Sequence, residues 1–570
     1  MDEQIQRWLE RDPDPATRKE LGELVARNDT AEIAQRFRGR LEFGTAGLRG
    51  VLGAGPMCMN RLVVRETTAG LGSYLQEQIE DARKRGVVIG YDGRHGSKTF
   101  AEDAAAVLAA LGLRVHLYDR LVPTPLVAFA VRKLGAAAGV MVTASHNPPA
   151  YNGYKVYWQH GAQIIAPHDR GIASAIVLAA ETEIPWLNPD EARRRGLIEA
   201  LGDAMIEAYL DGVASLSIHK KGKRRAGMRI AYTPLHGVGA VIAERALAQA
   251  GFASVHTVAS QREPDGDFPT VSFPNPEEPG AMDAVLALAR EVDAVLAVAN
   301  DPDADRLCAA VRRAPGDYRV LTGDQLGVLL GADRLAKAPR RAVVASTIVS
   351  SRLLGVIAAA EGVAYEETLT GLKWIAEAGF RREARGDRFL FGYEEALGYA
   401  IGGLVRDKAG ISALVALCEL AAHCANRGET LLDRLEAIYR RHGLYLTAQR
   451  SIPLPPDTEA PGIGAKLRMS TPKMIAGRRV AAVTDVIASE RTYADGRTEA
   501  LTLPKSDVLV YLLEDDARVV VRPSGTEPKV KCYYEVHEHV AESEQLKVAC
   551  ARAETSLAQL ILQHQRELTG

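Results

Sequence analysis

Two short stretches carry most of the chemistry this sequence can perform. At Thr143-Ala144-Ser145-His146-Asn147-Pro148 a hydroxyl stands beside an imidazole, directly after the apolar run Gly139-Val140-Met141-Val142. At Asp301-Pro302-Asp303-Ala304-Asp305-Arg306 three alternating carboxylates follow a second apolar run, residues 294–299. An all-oxygen donor set suits a hard divalent cation such as magnesium, which keeps positions open for phosphate or water. A serine hydroxyl is a weak nucleophile until a base or a metal assists it. A phosphorylatable serine and a metal loop together point to phosphoryl transfer.

Rival readings of these motifs can be weighed from the same residues. An EF-hand also opens with Asp-x-Asp-x-Asp, but it needs glycine at its sixth position and an acid at its twelfth. Here Arg306 and Arg312 stand there. A hydrolase serine is expected in Gly-x-Ser-x-Gly, whereas Ala144 and His146 flank Ser145. The Gly-rich turn at residues 44–50 lacks the Gly-Lys-Ser/Thr ending of a nucleotide loop, which leaves a close backbone approach to phosphate with Arg49 as its charge. Lys155 and Arg306 are further cations able to stabilise a phosphate. The stretch Arg522-Pro523-Ser524-Gly525-Thr526-Glu527-Pro528-Lys529 mixes glycine and hydroxyls between cations, the makings of an anion-binding nest. Glu394 and Glu395 follow the apolar Phe389-Leu390-Phe391 and are candidates to bind sugar hydroxyls, and Thr370-Gly371 opens a helix in the same unit. Taken singly, each of these is also compatible with an ordinary turn or a surface charge.

The elements that must position these loops follow one grammar three times: a short apolar strand, a helix, another strand, then a buried strand ending in a polar loop. The first copy starts at residues 87–92, with a helix over 99–111 and a strand over 114–118, and closes at the serine loop. The second starts at 228–232, with a helix near 238–250 and a strand at 253–258, and closes at the triple aspartate. The third starts at 342–346, with a helix near 350–361 and a strand at 363–367, and closes at 388–399. Strands alternating with helices imply βαβ units and largely parallel sheets, with ligands just beyond the carboxyl ends of the strands. After about residue 445 the pattern changes to short alternating strands behind a linker marked by Pro453, Pro455 and Pro456, with a terminal helix near 541–565. The expected domains are residues 1–202 with the serine loop, 203–319 with the metal loop, 320–444 with the sugar loop and 445–570 with the phosphate loop. Fold class is α/β for three related domains plus an α+β C-terminal one.

A chain of 570 residues is too long for one core. Lys+Arg 70 against Asp+Glu 72 leaves a net charge of −2, so no global basic excess exists to hold nucleic acid or an anionic membrane. The six cysteines are sparse and form no Cys-x-x-Cys pair, which reads as free thiols in a reducing compartment. The start is charged from Asp2 and carries no signal-peptide core, and no apolar stretch has the length of a membrane span. A cytoplasmic enzyme, monomer or homodimer, acting on a small molecule is expected.

In this order the loops resemble those of the α-D-phosphohexomutase superfamily, the phosphoglucomutases and phosphomannomutases, over roughly residues 40–535. The run from Thr143 to Tyr157 followed by Gly161-Ala162-Gln163-Ile164 is most similar to the branch containing phosphoglucomutase-2 and phosphopentomutase. The resemblance implies four domains around a central cleft, the last with a TATA-binding-protein-like fold. It makes Ser145 the phosphoserine and Asp301, Asp303 and Asp305 ligands of one Mg2+, completed by the phosphoserine oxygen. Arg49, His146, Lys155 and Arg306 correspond to groups around the transferring phosphoryl. Glu394 corresponds to a sugar-hydroxyl ligand, with Thr370 and Gly371 beside the substrate. Arg522, Ser524, Gly525 and Thr526 correspond to a clamp on the other phosphate, and Lys408 to a further phosphate contact. Two positions depart from the family pattern: Ala396 is often serine, and Leu372 often a larger aromatic residue.

The implied activity is reversible transfer of phosphoryl between O1 and O6 of a hexose phosphate, as in phosphoglucomutase, with glucose 1,6-bisphosphate as intermediate and activator. Phosphomannomutase and phosphopentomutase use the same mechanism and are the alternatives. A phosphosugar phosphatase and a silent sugar-phosphate-binding protein are the rivals from other classes.

Overall fold

Each strand the grammar places is present, and those that open the three motifs, Val87–Tyr91, Ile230–Thr233 and Ala342–Thr347, are buried throughout. The structure is a computed structural model and describes residues 2–44, 47–220, 222–453, 460–523 and 529–569. It divides into two compact units, one of residues 1–321, 371–376 and 396–426, the other of residues 322–370, 377–395 and 427–570.

The first unit opens with three helices, Asp2–Arg11, Pro15–Ala26 and Thr30–Phe37. Asp14 and Asp29 cap the second and third with their side chains, and Pro15 occupies the first helical position, where its missing N–H costs nothing. A six-stranded sheet follows, in the order Leu48–Val51, Tyr151–Trp158, Ala138–Val142, Val87–Tyr91, Val115–Tyr118, Ile198–Leu201. Its centre, Val87–Tyr91, is parallel to Ala138–Val142 and to Val115–Tyr118, while Tyr151–Trp158 returns antiparallel. Ile89, Val140 and Val142 are fully buried, each contributing about 1.5–3 kcal/mol by leaving water. A second sheet has the order Asp317–Val320, Cys308–Ala314, Leu296–Ala299, Ile230–Thr233, Val255–Thr257. Here too the first strand in sequence, Ile230–Thr233, lies between two parallel neighbours. The helix Gly410–Asn426, apolar nearly all round, is buried along most of its length.

The second unit repeats the motif. Ala342–Thr347 lies between Ala364–Thr368 and Arg388–Glu394, parallel to both. Its other sheet is antiparallel, running Leu444–Pro453, Lys529–Glu538, Arg518–Pro523, Leu509–Leu513, Arg478–Asp485, Glu490–Tyr493, Thr498–Ala500. The helix Leu546–Thr569 packs on it. The three parallel motifs and the later antiparallel sheet are the α/β and α+β parts expected from the sequence. Pro453 ends a strand, while Pro455 and Pro456 lie outside the described residues. No disulfide joins the six cysteines, five of which are buried. Among the described residues no helix is long and apolar enough to cross a membrane.

Candidate functional site

Strand ends deliver the predicted groups to one place in the first unit. Ala138–Val142 feeds directly into the serine loop, and Leu296–Ala299 into the aspartate loop. Ser145 is buried with φ 54°, a left-handed conformation that costs a non-glycine residue energy and persists only where the surroundings enforce it. Thr143 Oγ1 accepts from the Ser145 amide at 2.8 Å. Arg94, itself buried, donates to the Ser145 carbonyl at 2.7 Å, to that of Pro148 at 2.9 Å and to that of Asn147.

The Ser145 hydroxyl donates to Asp301 Oδ2 at 2.9 Å and lies 3.2 Å from His146 Nδ1. Asp301, Asp303 and Asp305 are fully buried and each offers an oxygen within 4.8 Å of the others. Lys155 comes from the middle of Tyr151–Trp158, opposite Met141, and donates to Asp303 at 2.6 Å and Asp305 at 2.9 Å. Thr124 donates to Asp303 at 2.6 Å, and Lys408 lies 3.4 Å from Asp305. One oxygen of Asp303 and one of Asp305 are buried without a hydrogen-bond partner among the described residues. Such orphaned acceptors are costly, and their convergence with Asp301 fits a hard divalent cation.

Electrostatics follow from burial and from this crowding. Burial and the neighbouring Asp303 and Asp305 push the Asp301 carboxyl well above its usual range. Burial opposes the charge on Lys155, but the two carboxylates outweigh it and the ammonium is held more firmly than usual. Burial, reinforced by Arg306 and Arg49, holds His146 well below its ordinary pKa, so the imidazole is neutral at neutral pH. It can therefore accept a proton from a hydroxyl. Arg49, opposite Gly153 in the sheet, donates to Asn147 at 2.7 Å. The Arg306 amide donates to Asp301 at 3.0 Å, and its side chain pairs with Glu277 at 3.2 Å.

Two glycines are required by close approach to the metal loop. A Cβ on Gly237 would lie 2.3 Å from Pro302 Cα, and one on Gly410 2.3 Å from the Arg306 carbonyl. Beside Lys408, Asp407 accepts from Tyr157 at 3.0 Å and Gln163 at 2.7 Å, fixing the loop that carries the lysine.

The first unit thus brings together Ser145, His146, Lys155, Arg49, Arg306, the three aspartates and Lys408, and it also contains Gly371. Thr370, Glu394 and Arg522 belong to the second unit. There Thr370 Oγ1 is buried without a hydrogen-bond partner, Glu394 is buried at a strand end, and Arg522 stands half-buried opposite Lys531. Ser524, Gly525 and Thr526 lie outside the described residues. Sequence reading missed Arg94 and Thr124. Arg94 had a signal, since Asp92-Gly93-Arg94 ends the strand Val87–Tyr91 just as the other polar loops end theirs.

Four domain profiles described as phosphoglucomutase/phosphomannomutase match in chain order: alpha/beta/alpha domains I, II and III at residues 40–182, 207–316 and 322–442, and the C-terminal domain at 466–553. The chain belongs to the phosphoglucomutase/phosphomannomutase family. A mouse phosphopentomutase is 35% identical over 94% of this chain and 90% of its own. A probable phosphomannomutase of Haemophilus influenzae is 39% identical over 84% of this chain and 93% of its own. The crystal structure of a putative phosphomannomutase from Thermus thermophilus superposes with a TM-score of 0.66 at 26% identity, covering 91% of this chain and 99% of that one. This family member is therefore an isomerase of the phosphohexomutase type, an intramolecular phosphotransferase. A human relative, 34% identical over 94% of this chain and 90% of its own, is named glucose 1,6-bisphosphate synthase, and the pentose and mannose names back the alternatives drawn from the sequence better than a phosphoglucomutase.

Proposed function

We propose that this family member is a phosphopentomutase, moving phosphoryl between O1 and O5 of a pentose phosphate through a phosphorylated Ser145, with mannose phosphates as the second substrate class. The observation that carries the reading is the Ser145 hydroxyl, 2.9 Å from Asp301 in a nest of three buried carboxylates. The relative named phosphopentomutase, aligned over nearly the whole chain, supports the choice of sugar. The four loop-bearing domains are assigned to residues 1–202, 203–319, 320–444 and 445–570, and six cysteines without a disulfide favour the cytoplasm.

Asp301, Asp303 and Asp305 would hold one Mg2+, which when bound offsets charge on the transferring phosphoryl. The remaining work falls to the chain. Arg49 and Arg306 supply cationic donors beside the serine loop, and Lys155 and Thr124 hold Asp303 in place. As phosphoryl leaves Ser145, its P–Oγ bond breaks and a P–O bond forms to the free sugar hydroxyl, whose proton passes to neutral His146 and from it to the freed Ser145 Oγ. The resulting sugar bisphosphate, which is the activator in catalytic amounts, turns around. Its other phosphoryl returns to Ser145: a P–Oγ bond forms as the P–O bond to the sugar breaks, and His146 carries the Ser145 hydroxyl proton to the freed sugar oxygen. Thr370, Gly371, Glu394, Lys408, Arg522, Ser524, Gly525 and Thr526 are assigned to the sugar and its non-reacting phosphate.

The test is a panel of ribose, mannose, glucose and glucosamine 1-phosphates with catalytic sugar bisphosphate and Mg2+. The highest kcat/KM is expected for ribose 1-phosphate, and a glucose optimum would reverse the sugar assignment. Ser145→Ala should fold normally and turn over none of them; full activity in that variant would refute the phosphoserine mechanism. Steady release of inorganic phosphate would mark a phosphatase instead.

A further inference from the structure

Away from the serine and aspartate loops, the N-terminal helix Asp2–Arg11, the segment 37–40 and the end of the helix His168–Ala180 enclose a cavity of about 370 Å3. That volume lies in the range of small-ligand pockets. Four arginines line it, Arg7, Arg11, Arg38 and Arg40, together with Trp8 and Glu181.

The charges do not balance. Glu66, buried beneath, pairs with Arg11 at 2.9 Å and with Arg40 at 2.5 Å. Arg11 also donates to the carbonyls of Ala180 and Thr182, which fixes its fork. Arg7 pairs with Glu181 at 2.8 Å. Arg38 is exposed and has no ion pair among the described residues. Four guanidiniums against two carboxylates leave an excess of two positive charges in one concavity. Trp8 lines the wall beside these arginines and is 6% exposed.

We propose that this cavity is a second anion site, taking a small phosphorylated molecule. Planar guanidinium forks match phosphate oxygens in bidentate fashion, and a doubly charged phosphate cancels the excess. None of its residues belongs to the phosphotransfer machinery. Arg40 does, however, lie only a few residues before the Gly44–Arg49 turn, so an occupant would tie the first helix to the segment leading into that machinery.

Hydrogen exchange of the full chain, with pyrophosphate as the probe in the presence of EDTA, tests the proposal. Amides of residues 2–11 and 37–41 should exchange more slowly as pyrophosphate is added, and Arg7→Ala/Arg38→Ala should weaken that response about tenfold or more. The exposed positions of Arg7 and Arg38 leave folding and turnover without pyrophosphate unchanged, and Arg7→Lys/Arg38→Lys should restore part of the response. Exchange in those segments that does not respond to pyrophosphate would overturn the proposal, and so would slowing that survives the double alanine substitution.

Discussion

At the scale of single residues, placement of Ser145 depends on a side chain that never faces the reacting atoms. Arg94 spends its guanidinium on three carbonyls of the serine loop, and Phe268 stacks beneath it at 4.8 Å. A lysine there keeps the charge but loses the planar fork, so the left-handed turn at Ser145 loosens. Arg94→Lys should lower kcat by about 10- to 100-fold, the cost of a small misplacement of a reacting group, with little change in KM; a rise in KM alone would show that Arg94 binds substrate. The chemical residues were legible in the sequence because each polar loop interrupts an apolar run. Their supports were not, since Thr124 meets Asp303 across 179 positions of chain and no local pattern records that contact.

At the scale of elements, strand and helix ends decide where groups go and what charge they carry. The buried helix Gly410–Asn426 starts against the metal loop, with no room for a methyl group at Gly410. Gly410→Ala should therefore cost about 1–3 kcal/mol and most of the activity. Gly22→Ala, in a helix where nothing lies within 4 Å, should stabilise by about 0.5–1 kcal/mol. Urea denaturation of the two variants gives shifts of opposite sign if these contacts govern.

Where Arg388–Glu394 ends, burial and the adjacent Glu394 push the Glu395 carboxyl up to about 8, although Ser350 and Thr347 donate to it at 3.1 and 3.2 Å. The unfolded value is about 4.3. Between those values the folded chain holds a proton that the unfolded chain has released, so stability from this group falls as pH rises through the window. Glu395→Gln removes that slope. Its thermal midpoint should match the parent at about pH 4 and exceed it at about pH 8, whereas a constant gap would mean that Glu395 is charged in the fold throughout. Elements were the most readable level: the strands near 87, 230 and 342 all appear, each between parallel neighbours. The strand Tyr151–Trp158 was hidden, because Asn152 and Lys155 break its apolar pattern and only the aspartates of another sheet explain a lysine buried there. The second and third N-terminal helices announce themselves by their caps, Asp14-Pro15 and Asp29-Thr30, rather than by a broad apolar face.

At the scale of the whole molecule, sequence order and spatial grouping part company. Residues 371–376 and 396–426 lie far along the chain, yet they are grouped with residues 1–321. A linear reading cannot see that Lys408 returns to Asp305. The consequence is that a cation on the three aspartates stabilises contacts spread across a single unit assembled from distant segments. Two buried carboxylate oxygens of the site have no hydrogen-bond partner among the described residues, and the close ion pairs of Lys155 and Lys408 offset part of the carboxylate charge. Mg2+ at a hundredfold its Kd should therefore add about 2.7 kcal/mol to unfolding by simple linkage. Slowed hydrogen exchange should appear both in residues 299–308 and in residues 405–412, separated in sequence but joined through Asp305, Lys408 and Gly410. EDTA should reverse both together. Protection confined to residues 299–308 would mean that the metal loop is bound to its own strand alone and that the return of residues 396–426 to the first unit carries none of the coupling.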